Sequence, residues 1–171
     1  MTRKTKTPAF SRPDFDSYFM GIAQAVCRRA DCRGSRVGAI IVVDRRIVST
    51  GYNGTAEGMP NCTDGGCERC LNRDKYPKGT GYDLCICVHA EQNALLAAAR
   101  FGIAVAGGTA YTTLQPCFGC LKEMLQAKIR RVCYIDAWSH PDPKFAEQYN
   151  RIAARLPGGM TRVEPPAPIQ G

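Results

Sequence analysis

Residues 89–91 read His-Ala-Glu, and residues 116–120 read Pro-Cys-Phe-Gly-Cys. Each stretch opens a helix-forming run, HAEQNALLAAAR in the first case and CFGCLKEMLQAK in the second. Cys117 and Cys120 are three apart, so they project from one face of a first helical turn. Free backbone amides and the positive dipole end favour thiolates there. His89 offers a third donor that suits zinc. Three protein ligands leave the fourth tetrahedral position open, which marks a catalytic rather than a structural ion. Two thiolates and a neutral imidazole cancel the charge of zinc, and a water in the open position still acidifies towards neutral pH. Glu91 leaves the helix start in a different direction from His89. It can stand beside that water without ligating, take its proton and pass it on. A lone C-x-x-C is a moderate zinc or redox signal, and a lone H-x-E is weak. A purely structural four-cysteine zinc that included Cys117 and Cys120 leaves His89 and Glu91 unexplained.

The chain holds ten cysteines in 171 residues. The N-terminal stretch MTRKTKTPAFSR is basic with no apolar run after it, so it does not read as a signal peptide. No apolar run is long enough to span a membrane. The expected compartment is therefore the cytoplasm, where close-spaced cysteines point to metal before disulfide. Cys62, Cys67, Cys70, Cys85 and Cys87 are so spaced, and Cys32 precedes them. Cys27 and Cys133 sit in apolar helix and strand patterns and read as core. The formal net charge is +8. Half of it is Arg3, Lys4, Lys6 and Arg12 in the first twelve residues, and aromatics are only 8%. A nucleic-acid partner is thus disfavoured, and an anionic small substrate is compatible.

These residues need elements to position them. Length and composition predict one globular domain over 13–164, with a basic flexible tail at 1–12 and a flexible tail at 165–171. Apolar spacing from Phe15 to Val26 predicts a first helix ending near Ala30, with Asp14 as N-cap. VGAIIVVD (37–44) and IVSTGY (47–52) read as a hairpin across the turn Asp44-Arg45-Arg46. Residues 53–84 show no periodicity. A structureless loop that long needs something to hold it, and its cysteines are the evident means. The cysteine-rich insertion runs over 53–87. A helix over 89–100 stopped by Gly102, a strand at 108–114, a helix opened by Pro116, a strand at 131–136, a helix at 143–156 and a short strand at 161–164 follow. This order predicts an α/β fold. It is a three-layer α-β-α sandwich with a mixed five-stranded sheet and helices on both faces.

The joint pattern H-x-E with P-C-x-x-C is the general signature of zinc-dependent nucleobase deaminases. With VGAIIV (37–42), GYNG (51–54), HAEQNA (89–94) and TLQPCFGC (113–120), the chain resembles the cytidine deaminase superfamily, and most closely its deoxycytidylate (dCMP) deaminases. The resemblance covers about residues 15 to 140. GYNG together with HAE-x-NA separates it from relatives that act on tRNA adenosine, guanine or riboflavin precursors. It implies a cytidine deaminase-like fold and a zinc hydrolase that converts dCMP and water to dUMP and ammonia, supplying dUMP for thymidylate synthesis. Zinc-bound hydroxide would attack the amino-bearing carbon while Glu91 shuttles the proton. Asn53 would bind the sugar, and Trp138 would stand near the nucleotide. On the residues alone, Asn53 reads as a turn residue, Trp138 equally as core or oligomer contact, and Asn93 equally as a local hydrogen-bonding group or a substrate contact. Arg100, at the far end of its helix, lies too far from its own zinc to reach a substrate phosphate, since eleven residues of helix rise roughly 16 Å. Gln115 departs from the small residue that many members carry before Pro-Cys.

The resemblance also implies one structural zinc besides the catalytic one. It favours Cys32 and Cys62 with one of Cys67 or Cys70 and one of Cys85 or Cys87. An all-local set of Cys67, Cys70, Cys85 and Cys87 competes with it. A homo-oligomer and regulation by dCTP and dTTP follow from the family alone. Rival readings are a deaminase of a modified deoxycytidylate or of free (deoxy)cytidine and, in another class, a nucleic-acid editing or binding module.

Overall fold

The computed structural model describes residues 12–77 and 80–164. Residues 1–11 and 165–171, read above as tails, lie outside the described residues. Helix α1 (Phe15–Cys27) starts where the Asp14 carboxylate accepts a hydrogen bond from the Ser17 amide at 2.8 Å. It ends three residues earlier than its apolar pattern predicts. Arg29 and Ala30 continue it only through bonds to carbonyls three residues back, the tightening usual in a last turn. Strands β1 (Gly38–Val43) and β2 (Arg46–Tyr52) pair antiparallel, with a register slip between Ile41 and Val42. The turn between them is Asp44-Arg45, with φ of 48° and 60°. Two left-handed residues give the twist that a two-residue hairpin needs.

The region expected to be structureless holds short pieces. They are β3 (Gly54–Thr55), a single turn of helix α2 (Glu68–Leu71), three 3₁₀ turns and β4 (Cys87–Val88), which pairs antiparallel with β3. Periodicity could not find them, because none is long enough to show a period. Helix α3 (Ala90–Arg100) follows, with Gly102 left-handed at φ 66° just past its end. Then come β5 (Thr109–Leu114), α4 (Phe118–Gln126), β6 (Arg131–Asp136), α5 (Pro143–Ala153) and β7 (Met160–Arg162). Pro116 does not open α4 as expected. The chain stays extended through Cys117, which is the N-cap residue. Helix α5 stops at Ala153, and Arg155 and Leu156 again close the pattern with tightened turns.

The main sheet is five-stranded and mixed, in the order β2-β1-β5-β6-β7. Strand β1 is antiparallel to both neighbours, while β5, β6 and β7 are parallel. Alternation along β1 divides the core. Ile40 and Val42 pack with Phe19, Met20 and Ala23 of α1, whereas Ile41 packs with Ala94, Leu121, Met124 and Tyr149 of the other helices. The layers are thus α1, the sheet, and α3 with α4 and α5. Helix α1 is also tied to the sheet by Asp16, whose carboxylate accepts two hydrogen bonds from Arg131 at 3.0 and 2.8 Å and one from the Tyr111 hydroxyl at 2.8 Å. Among the described residues, no helix is long and apolar enough to cross a membrane.

Candidate active site and thiol cluster

His89 is the N-cap residue of α3, and Cys117 is that of α4. The sheet brings these two helix starts together. His89 Nδ1 lies 3.4 Å from Cys117 Sγ and 3.3 Å from Cys120 Sγ, and the two sulfurs are 3.6 Å apart. A tetrahedral ion with metal–sulfur bonds of about 2.3 Å and metal–nitrogen bonds of about 2.0 Å sets donors roughly 3.5–3.8 Å apart. The three donors fit such an ion, with His89 presenting Nδ1. His89 and Cys117 are half-buried and Cys120 is buried, so one side remains open to solvent.

The surrounding groups fix this arrangement. The His89 amide donates to Gln92 Oε1 at 3.0 Å, and Gln92 Nε2 donates to Glu123 Oε1 at 3.0 Å, which links the start of α3 to α4. Gly51, the first residue of GYNG, lets α3 lie directly on β2. A Cβ there would overlap the Ala90 carbonyl oxygen and the Ala94 amide nitrogen. Ser49 Oγ donates to the Ala94 carbonyl at 2.6 Å, and Asn93 Nδ2 donates to the Tyr52 carbonyl at 2.7 Å. The second of these gives Asn93 the local role. Behind Cys117, the buried Tyr149 hydroxyl donates to the Pro116 carbonyl at 2.8 Å and meets Gln115 Nε2 at 3.1 Å. Gln115 Oε1 accepts from the Trp138 amide at 3.2 Å, and the Trp138 ring lies 5.7 Å from that of Tyr149. Gln115 and Trp138 thus buttress the Pro-Cys turn.

Glu91 is 4% exposed and is the only buried carboxylate among the described residues. Burial pushes its pKa up to about 7, against the pull of His89. Cys117 goes the other way. Hydrogen bonds from Cys120 and then from the His89 ring hold it down at about 4 despite burial. Contact with Cys117 and burial push Cys120 up, and His89 is raised chiefly by its bond to Cys117. A dication bound here would displace the protons that Cys120 and His89 hold.

Cys32, Cys62, Cys67, Cys70, Cys85 and Cys87 all meet in a second cluster, and all but Cys85 are buried. Two four-thiol groups occur within it. Cys32, Cys62, Cys70 and Cys87 form one, Cys67, Cys70, Cys85 and Cys87 form the other, and in each the sulfurs lie within 4.8 Å of one another. The favoured and the competing sets of the sequence reading are thus both present. Both groups have the donors that zinc takes. Asp31 positions one side, accepting from the Cys62 amide at 2.7 Å and from the Thr63 hydroxyl. Its pKa is lowered first by Thr63. Sequence reading passed over Asp31, Gln92 and Tyr149. Each is an ordinary polar residue whose partners lie elsewhere in the chain, and no local pattern marks it.

Asn53 is 5% exposed, with Oδ1 accepting from the Val37 amide and Nδ2 donating to the Ser35 carbonyl, both at 2.7 Å. It clamps the loop before β1. That loop borders a surface cleft of about 480 Å³ lined by Arg28, Ser35, Arg36, Thr113, Leu114 and Asp136 among others. Cys27, expected in the core, is half-buried and lines the same cleft, because it is the last residue of α1, at the edge of the layer. Cys133 is fully buried, as its strand pattern predicts. His140 is half-buried and its ring stacks on that of Phe145 at 4.4 Å. Arg100 lies at the far end of α3, and its nearest acidic partner is the exposed Glu57 at 4.0 Å.

The layered fold, with two helix starts converging on one imidazole and two thiols, is that of the cytidine deaminase-like proteins. A family model described as the cytidine and deoxycytidylate deaminase zinc-binding region matches residues 13–136. The chain belongs to the cytidine and deoxycytidylate deaminase family. It is 42% identical over 125 residues to a deoxycytidylate deaminase of Schizosaccharomyces pombe, a match covering 72% of this chain but only 37% of that protein. It is likewise 42% identical over 127 residues to a deoxycytidylate deaminase of Mycobacterium phage D29, covering 72% of this chain and 96% of that one. Among solved structures, the dCMP deaminase of cyanophage S-TIM5 in complex with dCMP and dUMP superposes with a TM-score of 0.68 at 25% identity, over 90% of this chain and 100% of that chain.

Proposed function

We propose that this protein deaminates dCMP hydrolytically to dUMP and ammonia. The observation that carries the reading is the one buried carboxylate among the described residues, Glu91, beside three converging donors at two helix starts. His89, Cys117 and Cys120 would hold a zinc ion. Zinc so held supplies the Lewis acidity that makes water a nucleophile at neutral pH. Glu91 takes one proton from the attacking water and delivers it to the ring nitrogen beside the amino-bearing carbon, then takes the second from the hydroxyl of the resulting adduct and passes it to the amine, which leaves as ammonia while the new carbonyl forms. A carboxyl whose pKa lies close to the working pH suits both directions of transfer. Gln92, Gly51 and Tyr149 hold the two helix starts in register for it.

Asn53 keeps the 35–37 loop in place and contacts the sugar through the hydrogen-bonding capacity its backbone partners leave over. Arg28 and Arg36, in the cleft beside that loop, bind the 5′-phosphate. Trp138 walls the pocket from behind the Pro-Cys turn. The dUMP formed would feed thymidylate synthesis, and the unpaired thiols support a reducing, cytoplasmic setting. Leu96 on α3 and Phe101 just past its end, 59% and 71% exposed, support a homo-oligomer, in which Arg100 would serve a neighbouring subunit or a dCTP or dTTP effector.

The test is ammonia release from dCMP, CMP, deoxycytidine, dCTP and a cytosine-containing single strand. Turnover of dCMP well above the others is expected. Activity on the strand alone overturns the assignment. In the variant R28A/R36A, KM for dCMP should rise at least tenfold with that for deoxycytidine unchanged. Equal effects on both remove the phosphate contact.

A further inference from the structure

The two four-thiol groups share Cys70 and Cys87. Two tetrahedra joined along one edge have six corners, two of them common, and the six thiols reproduce that pattern member for member. Corners of a tetrahedron with metal–sulfur bonds of about 2.3 Å lie about 3.8 Å apart. Cys32 and Cys70 are 3.8 Å apart, Cys70 and Cys85 3.9 Å, and Cys67 and Cys85 3.7 Å. Cys70 therefore stands at a tetrahedral edge from a member of each group, Cys32 on one side and Cys85 on the other.

We propose that the six thiols form a single binuclear site, which binds two zinc ions through four thiolates each, with Cys70 and Cys87 bridging them. A single ion leaves two spare thiols in either arrangement. It leaves Cys67 and Cys85 if the first group is filled, or Cys32 and Cys62 if the second is. Cys62 and Cys67 are each 0% exposed, so both arrangements spend a fully buried thiol on nothing. Charge does not oppose the second ion. Four thiolates around one dication carry two net negative charges, and two neutral thiols add none. Six thiolates around two dications carry the same two. Binding the second ion releases two protons and leaves the cluster charge unchanged. The outer sulfurs of one end already receive amide hydrogen bonds, from Arg33 to Cys62 and from Gly34 to Cys32, both at 3.3 Å.

This site is independent of the substrate assignment, and its test does not use activity. Metal analysis and native mass spectrometry of the reduced full chain, saturated with zinc, should give three zinc ions per chain. The variant C67S/C85S should lose one of them, and so should C32S/C62S. Two ions in the unaltered chain overturn the proposal, as does an unchanged count in C67S/C85S. Should the variants not fold, the unaltered chain loaded with cadmium-113 decides. Two all-sulfur resonances split by mutual coupling through the bridging sulfurs are expected, whereas one unsplit all-sulfur resonance refutes the binuclear site.

Discussion

The two donor clusters lie at either end of one short segment, Cys87-Val88-His89, yet they are built on opposite plans. The His89, Cys117 and Cys120 set stands on the first turns of two core helices, and each donor is placed by packing that exists without metal. The six-thiol set stands on loops and single turns. Its buried neighbours are mainly its own members, with Ile86 the other hydrophobic packed there. In the first cluster the fold positions the ligands. In the second the thiols themselves take the place of a hydrophobic core, as the ligands of small metal-dependent domains do. An open site can be added to a finished scaffold, whereas a closed one has to be part of the scaffold.

The largest effect that separates the two comes from Glu91→Gln. The rate should fall by about 10²–10⁴-fold, while metal content at both clusters is retained. The same change should stabilise the metal-free chain. Glu91 has a folded pKa raised to about 7 by burial, above the usual carboxylate value of roughly 4.3. Its favourable contribution is complete below the unfolded pKa and is lost as pH rises through the folded one. The variant should therefore gain about 3 kcal/mol over the original chain at pH 8 and little at pH 4, read by urea unfolding after chelation. A gain that does not vary with pH would mean that the carboxyl is not buried in solution.

Gly51→Ala should act next most strongly, and on the open site only. Lifting α3 from β2 costs about 1–3 kcal/mol. The affinity of the His89 set for zinc and kcat should fall together, with the thiol-bound metal unmoved. Asp31→Ala should do the reverse. Removing the acceptor for the Cys62 amide costs about 1 kcal/mol by analogy with a helix cap. Zinc transfer from the thiol cluster to a chromophoric chelator should speed up several-fold, with kcat unchanged. If either change disturbs both clusters equally, the contrast between the two plans is wrong.

Asp16→Asn should disturb neither, and it has the smallest effect. Burial raises the Asp16 pKa, but the hydrogen bonds from Arg131 and Tyr111 outweigh it and the net shift is downward. Its contribution is present above the unfolded pKa near 4 and is lost as pH falls through the folded value. The variant should be weaker by about 1 kcal/mol at pH 7, since the pair is partly exposed. The difference should close towards pH 2 as the carboxylate protonates in both states. Thermal melts across that range provide the check.

Much of this was legible in the sequence where one residue type repeats or one type is required. The periods of Phe15–Val26 and of 131–136 gave their elements within a few residues, and the missed helix ends are tightened turns that carry the same apolar spacing. His89, Cys117 and Cys120 stood out because few side chains ligate zinc, and the structure places them together. Asp31, Gln92 and Tyr149 did not, because an amide or hydroxyl that holds a distant carbonyl has no local signature. The sharing of Cys70 and Cys87 was hidden for a related reason. Counting four ligands for one ion makes six thiols look like four and a remainder, and only their positions show an edge common to two groups.

The ribbon of β3 and β4 has two residues on each side, and two-stranded ribbons far longer than that are marginal in water. Amide exchange should therefore show two tiers in this molecule. The main sheet would open only with global unfolding, while the thiol-rich segments before His89 would open at a free energy set by the metal proposed for their cluster. His89 lies on the boundary between the tiers. A chain stripped of thiol-bound metal can keep its β1–β5–β6 protection and its gross fold while the ring that completes the open site swings free. Loss of function would then precede loss of structure.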